Sequence, residues 1–420
     1  VLLNAAGGLP TLALQIGSSR VHANYVSGSG TQNWVFSANI VAGLNDDDGV
    51  SLPLNALTLN GAILSDAAGN ACAINSPAVI ANPLYLVDTT IPTVVITSDI
   101  RELKAGDTAN ISFTLSEETG NSFAWDGSVG DVIVTGGTLS ALTGTGLTRT
   151  AVFTPSASWA SGNASITVMA DSYEDAAGNL GAAGASPSFS LDTVAPNLTN
   201  VVLSSAVGAS FSPSDATVAL LNASDTLLAT LTFSEVIVLN VSAGSPTLEL
   251  TVGSSSVQAT YLSGSGTRQL VFTTTILTGQ TDTDGVAIAL NALNLHGATI
   301  KDNAGNNSLI TSDAVSSNPN YLVDTTAPTV TVVANASSLK VGETATITFT
   351  FSEDPSASFA WDGNTGDVLV SGGTLSAVSG TGSMRTAVFT PTPNLANGTG
   401  NISVTANSYQ DAAGNSGTAG

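Results

Sequence analysis

The chain carries one cysteine, Cys72, in 420 residues, so no internal disulfide can hold it together. Histidine is nearly as scarce, with two in all, His22 and His296. So few soft ligands argue against a repeated zinc, copper or iron site. Basic residues are thin as well, 8 Lys and Arg against 31 Asp and Glu, for a formal net charge of -23. A surface of that sign repels a phosphate backbone and anionic lipid, so no nucleic-acid partner is expected. No stretch approaches the run of about 18 apolar residues that crosses a bilayer, so no membrane insertion is expected either. The chain opens "VLLNAAGG", without a basic n-region or cleavage site.

What is present favours strands. Hydrophobic residues make up 43% of the chain, enough for real cores, while charged residues make up 9% and aromatics 5%. Gly, Ser, Thr, Ala and Val dominate the remainder, a mixture suited to pleated strands and turns. Segments such as "TANISFTLSEE" and "TATITFTFSED" alternate small polar with apolar residues, the period of a half-buried strand. "VQATYLSGSGTRQLVF" sets a Gly-Ser-Gly turn between two alternating runs, which predicts a hairpin. No amphipathic helix stands out.

The sequence repeats itself. "PTLALQIGSSRVHANYVSGSGT" from Pro10 aligns with "PTLELTVGSSSVQATYLSGSGT" from Pro246, an offset of 236, and the same gap-free offset pairs Tyr85 with Tyr321, Phe123 with Phe359 and Asp175 with Asp411. Each period divides again at an Asp-Thr linker leading to proline, at Asp88, Asp192 and Asp324. Proline there stiffens the junction and cannot continue a ladder. Two kinds of domain therefore alternate: a longer kind at 1-90 and 193-325, a shorter kind at 91-192 and 326-420. About seven short strands per roughly 100 residues predict an all-β array of tandem immunoglobulin-like sandwiches. Val1 aligns with Ile237 and Gly420 with Gly184, so the first domain is expected to lack its opening strands and the fourth its last.

One acidic loop recurs in every domain. Asp-Ala-Ala-Gly-Asn occurs at 66-70, 175-179 and 411-415, and Asp-Asn-Ala-Gly-Asn at 302-306. In a sandwich of this type the linker, the end of the second strand and the loop before the last strand share one end. Three features then converge: Asp88, Glu117 and Asp175 with Asn179 in the second domain; Asp192, Glu235 and Asp302 with Asn306 in the third; Asp324, Glu353 and Asp411 with Asn415 in the fourth. The first domain keeps only Asp66 and Asn70. Carboxylates this close raise one another's pKa unless a cation sits among them. Calcium fits best, because it takes six to eight oxygens at flexible angles from carboxylate, amide and backbone donors. The longer domain adds "NDDDG" and "TDTDG", whose Asp46 and Asp48, or Asp282 and Asp284, are expected to complete a junction site from the other side. These turns match an EF-hand loop poorly, since no Glu follows at the required spacing. The histidines, aligned with Gln258 and Asn60, are not ligands of a repeated site.

Other motifs carry less. "AWDG" at 124-127 and 360-363 reads as a Trp packed beside a turn rather than a sugar-stacking platform. The "SGSGT" segments lack the strand-to-helix setting and His partner of a nucleophile elbow. No unrepeated cluster of catalytic carboxylates stands out, so no enzymatic activity is expected.

With "DTTAPTVT", "TITFTFSE", "AVFTPTP" and "SYQDAAGN" in order, the shorter units resemble the bacterial immunoglobulin-like repeats of giant cell-surface adhesins of the biofilm-associated and RTX-adhesin type. The longer units, with "YLSGSGTRQLVF", "DTDGVAI" and "LNLHGATIKDNAGN", resemble the cadherin-like repeats of the same proteins. The resemblance implies an extracellular stalk at the bacterial cell surface, stiffened by calcium, that serves cell adhesion or biofilm formation. Its partners would be calcium, the neighbouring domains, and a host or matrix surface. The alternatives are a self-associating filament or surface-layer subunit, identical copies joining through incomplete end domains by strand complementation, and a carbohydrate-binding accessory region.

Overall fold

Alternating residues become strand wherever the pattern holds, and the computed structural model, which describes residues 1–207, 210–211, 219–394 and 398–420, shows no helix among them. The segment Ala109–Leu115 buries Ala109, Ile111, Phe113 and Leu115 and turns the residues between outward. Its counterpart Ala345–Phe351 repeats that alternation. The expected hairpin forms from Ser255–Ser263 and Thr267–Thr275, with Thr260 opposite Thr273.

The chain divides into two units, Val1–Val194 and Ala195–Gly420. In the first, residues 1–90 contribute a four-stranded sheet in the order Val35–Ser37, Ser19–Ser27, Thr11–Ile16, Leu57–Thr58, and a ladder of Leu2–Asn4 with Ile63–Ser65. Residues 94–192 make a two-sheet sandwich. One sheet runs Gly137–Leu139, Thr148–Pro155, Ala109–Leu115, Val94–Ser98. The other runs Val132–Thr135, Gly162–Val168, Phe189–Asp192, Glu102–Lys104, with Gly184–Ala185 against Gly162–Val168. Its last pair is parallel, Leu191 opposite Leu103. Between the sheets lie Phe113, Phe153 and Phe189, each fully buried, and burial of such a ring contributes about 1.5–3 kcal/mol. Phe153 and Phe189 stack at 5.5 Å.

In the second unit, residues 198–324 form a larger sandwich. The long strand Thr226–Asn240 pairs with Leu198–Val207, Thr267–Thr275 and Thr299–Lys301, while Tyr321–Asp324 joins Ala219–Leu221 in parallel and Thr281–Asp282 in antiparallel pairing. Residues 330–404 repeat the four-stranded sheet of the smaller sandwich in the same register, Gly373 opposite Pro391 as Gly137 is opposite Pro155, while among the described residues the second sheet holds Val368–Ser371 and Asn401–Val404. The three cores of described residues draw on contiguous stretches, 94–191, 198–323 and 330–409.

Candidate metal centre

Ladder geometry carries the acidic residues to one end of the smaller sandwich. The buried alternation of Ala109–Leu115 ends at Ser116, whose N–H donates to the Thr93 carbonyl at 2.9 Å and whose Oγ accepts the Thr93 N–H at 2.9 Å. Glu117 therefore stands beside the linker that begins at Asp88. Ser352 and Thr329 repeat the clamp, so Glu353 meets Asp324.

The repeated loop closes on itself. The Oδ1 of Asp175 accepts the N–H groups of Ala177 at 2.8 Å and Asn179 at 2.9 Å, and Asn179 Nδ2 donates to Oδ2 at 2.8 Å. Gly178 takes the turn at φ +88, open to glycine at no cost. Asp66 with Asn70, Asp302 with Asn306 and Asp411 with Asn415 make the same closure. In the smaller sandwiches the amide reaches further: Asn179 Nδ2 lies 3.0 Å from the Asp88 carbonyl and Asn415 Nδ2 2.9 Å from that of Asp324. The loop thus grips the linker backbone directly.

Two of the expected carboxylate sets come together within a single unit. Asp88, Glu117 and Asp175 each place an oxygen within 4.8 Å of the others, as do Asp324, Glu353 and Asp411. Asp175 and Asp411 are buried, while both Glu residues are half-buried. Among the described residues the ion pairs run Lys104 to Asp107, Lys340 to Glu343 and Arg385 to Asp354, and none reaches either triad. The repulsion shows in the acidities. Burial, then Asp411 and Asp324, pushes the Glu353 carboxyl up to about 7, and burial with Asp88 and Asp175 raises Glu117. Burial pushes Asp175 the same way, but the hydrogen bonds from Asn179, Ala177 and Gly178 outweigh it and hold that carboxyl below the usual range.

The members of the third set are divided: Asp192 closes the strand Phe189–Asp192 in the first unit, whereas Glu235, Asp302 and Asn306 belong to the second. Asp66 and Asn70 form their loop, and among the described residues no linker Asp or strand-end Glu gathers with them.

The acidic turns of the longer domain lie against the strand that leads into each linker, Asp46 opposite Val87 and Asp282 opposite Val323. Asp282 is 3% exposed, and its two oxygens accept the N–H groups of Gly253 and Gly285, each at 2.7 Å. Asp46, equally buried, takes the Gly49 N–H at 2.8 Å and is held below the usual carboxylate range first by the Gly17 N–H. These carboxylates tie two turns together across the sheet. Asp48 gathers with Asp46 and Asp47, and its acidity is weakened by the hydrogen bond it shares with Asp46. Asp284 accepts from Ser317 Oγ at 3.0 Å.

Tyr173 and Tyr409 escaped the sequence reading. Each is fully buried two residues ahead of the loop aspartate. The Tyr173 hydroxyl lies 3.1 Å from the Pro92 carbonyl and 2.9 Å from that of Ala182, donating between them, and Tyr409 does the same at Pro328 and Thr418. The one signal available was the repeated Ser-Tyr in an otherwise polar tract. The indole Nε1 of Trp125 lies 3.3 Å from the Leu139 carbonyl and the ring packs on the core, as does Trp361, which agrees with a packed Trp. His296 Nε2 meets Thr247 Oγ1 at 2.9 Å.

Residues 88–191 and 324–420 each match the family described as bacterial Ig-like domain. Among solved structures, the chain is similar to the I9–I11 tandem of titin at 11% identity, covering 78% of this chain and 96% of that one with a TM-score of 0.23. It is also similar, at 12% identity, to a Corynebacterium diphtheriae protein described as membrane anchored, covering 76% and 82% with a TM-score of 0.19. No curated protein matches the chain. No helix among the described residues is long and apolar enough to cross a membrane.

Proposed function

Since the chain carries bacterial immunoglobulin-like domains at residues 88–191 and 324–420 within an all-β tandem array, we propose that it is a non-enzymatic repeat segment of a bacterial surface adhesin, held at the outer face of the cell, whose linkers are stiffened by calcium. The observation that carries this reading is the pair of triads. Each joins the aspartate of a linker to a glutamate and an aspartate of the domain that follows, and among the described residues no Lys or Arg pairs with either triad to offset three like charges. The donor set suits a hard ion: three carboxylates, one of them made a reluctant anion by burial and then by its neighbours. Asp88, Glu117 and Asp175, and Asp324, Glu353 and Asp411, would hold the ion. When bound, it supplies the positive charge the site lacks and resists bending of the linker about the domain.

The protein itself prepares the linker. Asp88 Oδ1 caps the Thr90 N–H at 2.8 Å, Thr89 N–H donates to Asn45 Oδ1 at 2.8 Å, and Asn179 grips the Asp88 carbonyl. At Asp324 the Thr326 N–H and Asn415 take the corresponding places. A linker bonded to the residues on both sides has little freedom left for the ion to remove. The test is calcium titration by calorimetry of the chain and of a variant with Asp324→Ala and Glu353→Ala, alongside small-angle scattering with calcium and with chelator. Loss of one bound ion per chain in the variant, and a maximum dimension that contracts on chelation more in the parent than in the variant, support the reading. Calcium binding equal in the two proteins overturns it.

A further inference from the structure

Within the second unit, the third and fourth domains meet through more than the linker that joins them. The strand Tyr321–Asp324 leaves the third domain beside Ala219–Leu221 and parallel to it, with Leu221 opposite Val323. Asn222 and Asp324 are the next residues on the two strands, so both emerge at one end of a pair spaced about 4.8 Å apart. Each then meets the acidic loop of the fourth domain. Asn415 Nδ2 donates to the Asp324 carbonyl at 2.9 Å, and Asn222 Nδ2 donates to the Ala413 carbonyl at 2.9 Å. Ala413, in the middle of that loop, is 2% exposed yet lies outside the core of its own domain. The turn that presents Asn222 is closed by other atoms. Its N–H donates to Asp225 Oδ2 at 2.8 Å, the Asp225 N–H donates to the Asn222 carbonyl at 3.2 Å, and Ser224 and Asp225 exchange backbone hydrogen bonds with Ile276.

We infer that Asn222 is a positioning residue for the fourth domain's acidic loop: it latches the loop to the third domain and thereby sets Asp411 against Asp324. A single covalent linker leaves one domain able to swing and twist about the other. A second point of attachment, one strand away, opposes both motions. The ring of contacts is short. Asn222 follows Leu221, Leu221 stands opposite Val323, Asp324 follows Val323 and accepts from Asn415, and Asn415 closes the loop on Asp411. Asp324, Glu353 and Asp411 gather their like charges at this point. Their repulsion drives an unlatched loop away from the linker, and a cation then has to draw it back before it is held by all three. The latch is a contact of the polypeptide alone, whereas its consequence for calcium rests on the reading proposed above.

The test uses the 420-residue chain with Cys72→Ser and spin labels at two exposed strand positions, Gln258→Cys in Ser255–Ser263 of the third domain and Thr390→Cys in Met384–Pro391 of the fourth. Double electron–electron resonance then reads the spread of distances between the two domains. In chelator, Asn222→Ala should broaden that distribution. Asn222→Asp, which keeps the shape and exchanges the amide donor for a charged acceptor, should broaden it at least as much. Calcium titration of Asn222→Ala by calorimetry should show one site per chain weakened about 5-fold, the equivalent of one hydrogen bond that no longer holds the loop in place. Distributions equal in the parent and both variants overturn the inference, and so does an Asn222→Asp protein that behaves as the parent, because shape alone would then suffice. A broader distribution with calcium affinity unchanged overturns the link between the latch and the carboxylates. A parent that binds no calcium overturns the calcium reading instead, and the distances in chelator still decide the latch.

Discussion

Replacing Glu353 by glutamine should have opposite signs with and without calcium. The rise of the Glu353 carboxyl from 4.5 to about 7 means that, without a bound ion, the folded chain disfavours its charged form. Because the folded value lies above the unfolded one, the stabilising contribution is complete below about pH 4.5 and is lost as pH rises through about 7. At face value the shift corresponds to roughly 3 kcal/mol, and solvent screening of a half-buried carboxylate brings it to about 1–2 kcal/mol. Glu353→Gln keeps the shape and removes the charge. In chelator at pH 8 the variant should be more stable than the parent by about 1–2 kcal/mol, and at pH 4, where the parent carboxyl is protonated, the two should agree. In millimolar calcium the order should reverse, because the variant has lost a ligand and with it the stabilisation that scales with ion occupancy. Urea unfolding followed through Trp361, which packs on the same core, reads all three conditions. A variant less stable than the parent in every condition would show that Glu353 acts as an ordinary packing or hydrogen-bonding residue and would refute the electrostatic argument.

Asn179→Ala removes the amide that joins the loop carboxylate to the Asp88 carbonyl, and should cost about 1–2 kcal/mol in urea unfolding whether or not calcium is present. Tyr173→Phe should cost about 1 kcal/mol by the same measurement, while Gly181→Ala, whose Cβ would meet the Tyr173 ring at 2.2 Å, should cost about 1–3 kcal/mol. Asp282→Ala leaves the Gly253 and Gly285 N–H groups without their acceptor and should destabilise by about 1–3 kcal/mol with calcium affinity unchanged; a loss of affinity instead would place Asp282 in an ion site. His296→Ala should leave calcium titration untouched, its imidazole being bonded to Thr247 and belonging to neither triad.

Strands and hairpins were legible because their signal is local. A period of two in "TANISFTL" is the burial pattern of Ala109–Leu115 written out, and Gly-Ser-Gly marks the turn before Thr267. The convergence of Asp88, Glu117 and Asp175 was legible at one remove, through the order of strands in a sandwich, and the structure brings them together. The second role of Asp175 was not, although its cause is also local. Asp-x-x-Gly-Asn closes through hydrogen bonds two and four residues on, so the repeat has a structural reason as well as a ligand chemistry. The buried hydrogen bonds of Asp46 and Asp282 were hidden for the opposite reason. Their partners Gly17 and Gly253 lie 29 residues earlier, brought near by pairing between strands, and an Asp-Gly turn looks the same on the page whether its carboxylate faces water or a buried amide. Tyr173 reaches back 81 residues to Pro92, a contact that no pattern of spacing announces.

The two parallel pairings bear on what happens when such a chain is pulled. Glu102 to Lys104 lies near the start of the second domain and Phe189 to Asp192 at its end, side by side and pointing the same way. Tension drawn through the linkers drags the first toward its own beginning and the second toward its own end. Their hydrogen bonds are then loaded in shear and must rupture as a group, where an antiparallel hairpin peeled from its open end would lose them one by one. Ala219–Leu221 beside Tyr321–Asp324 repeats the arrangement in the larger sandwich. On the proposed adhesin reading, resistance of that kind in brief, fast-loaded moments matters more than a high equilibrium stability, and here it follows from the direction of two short strands.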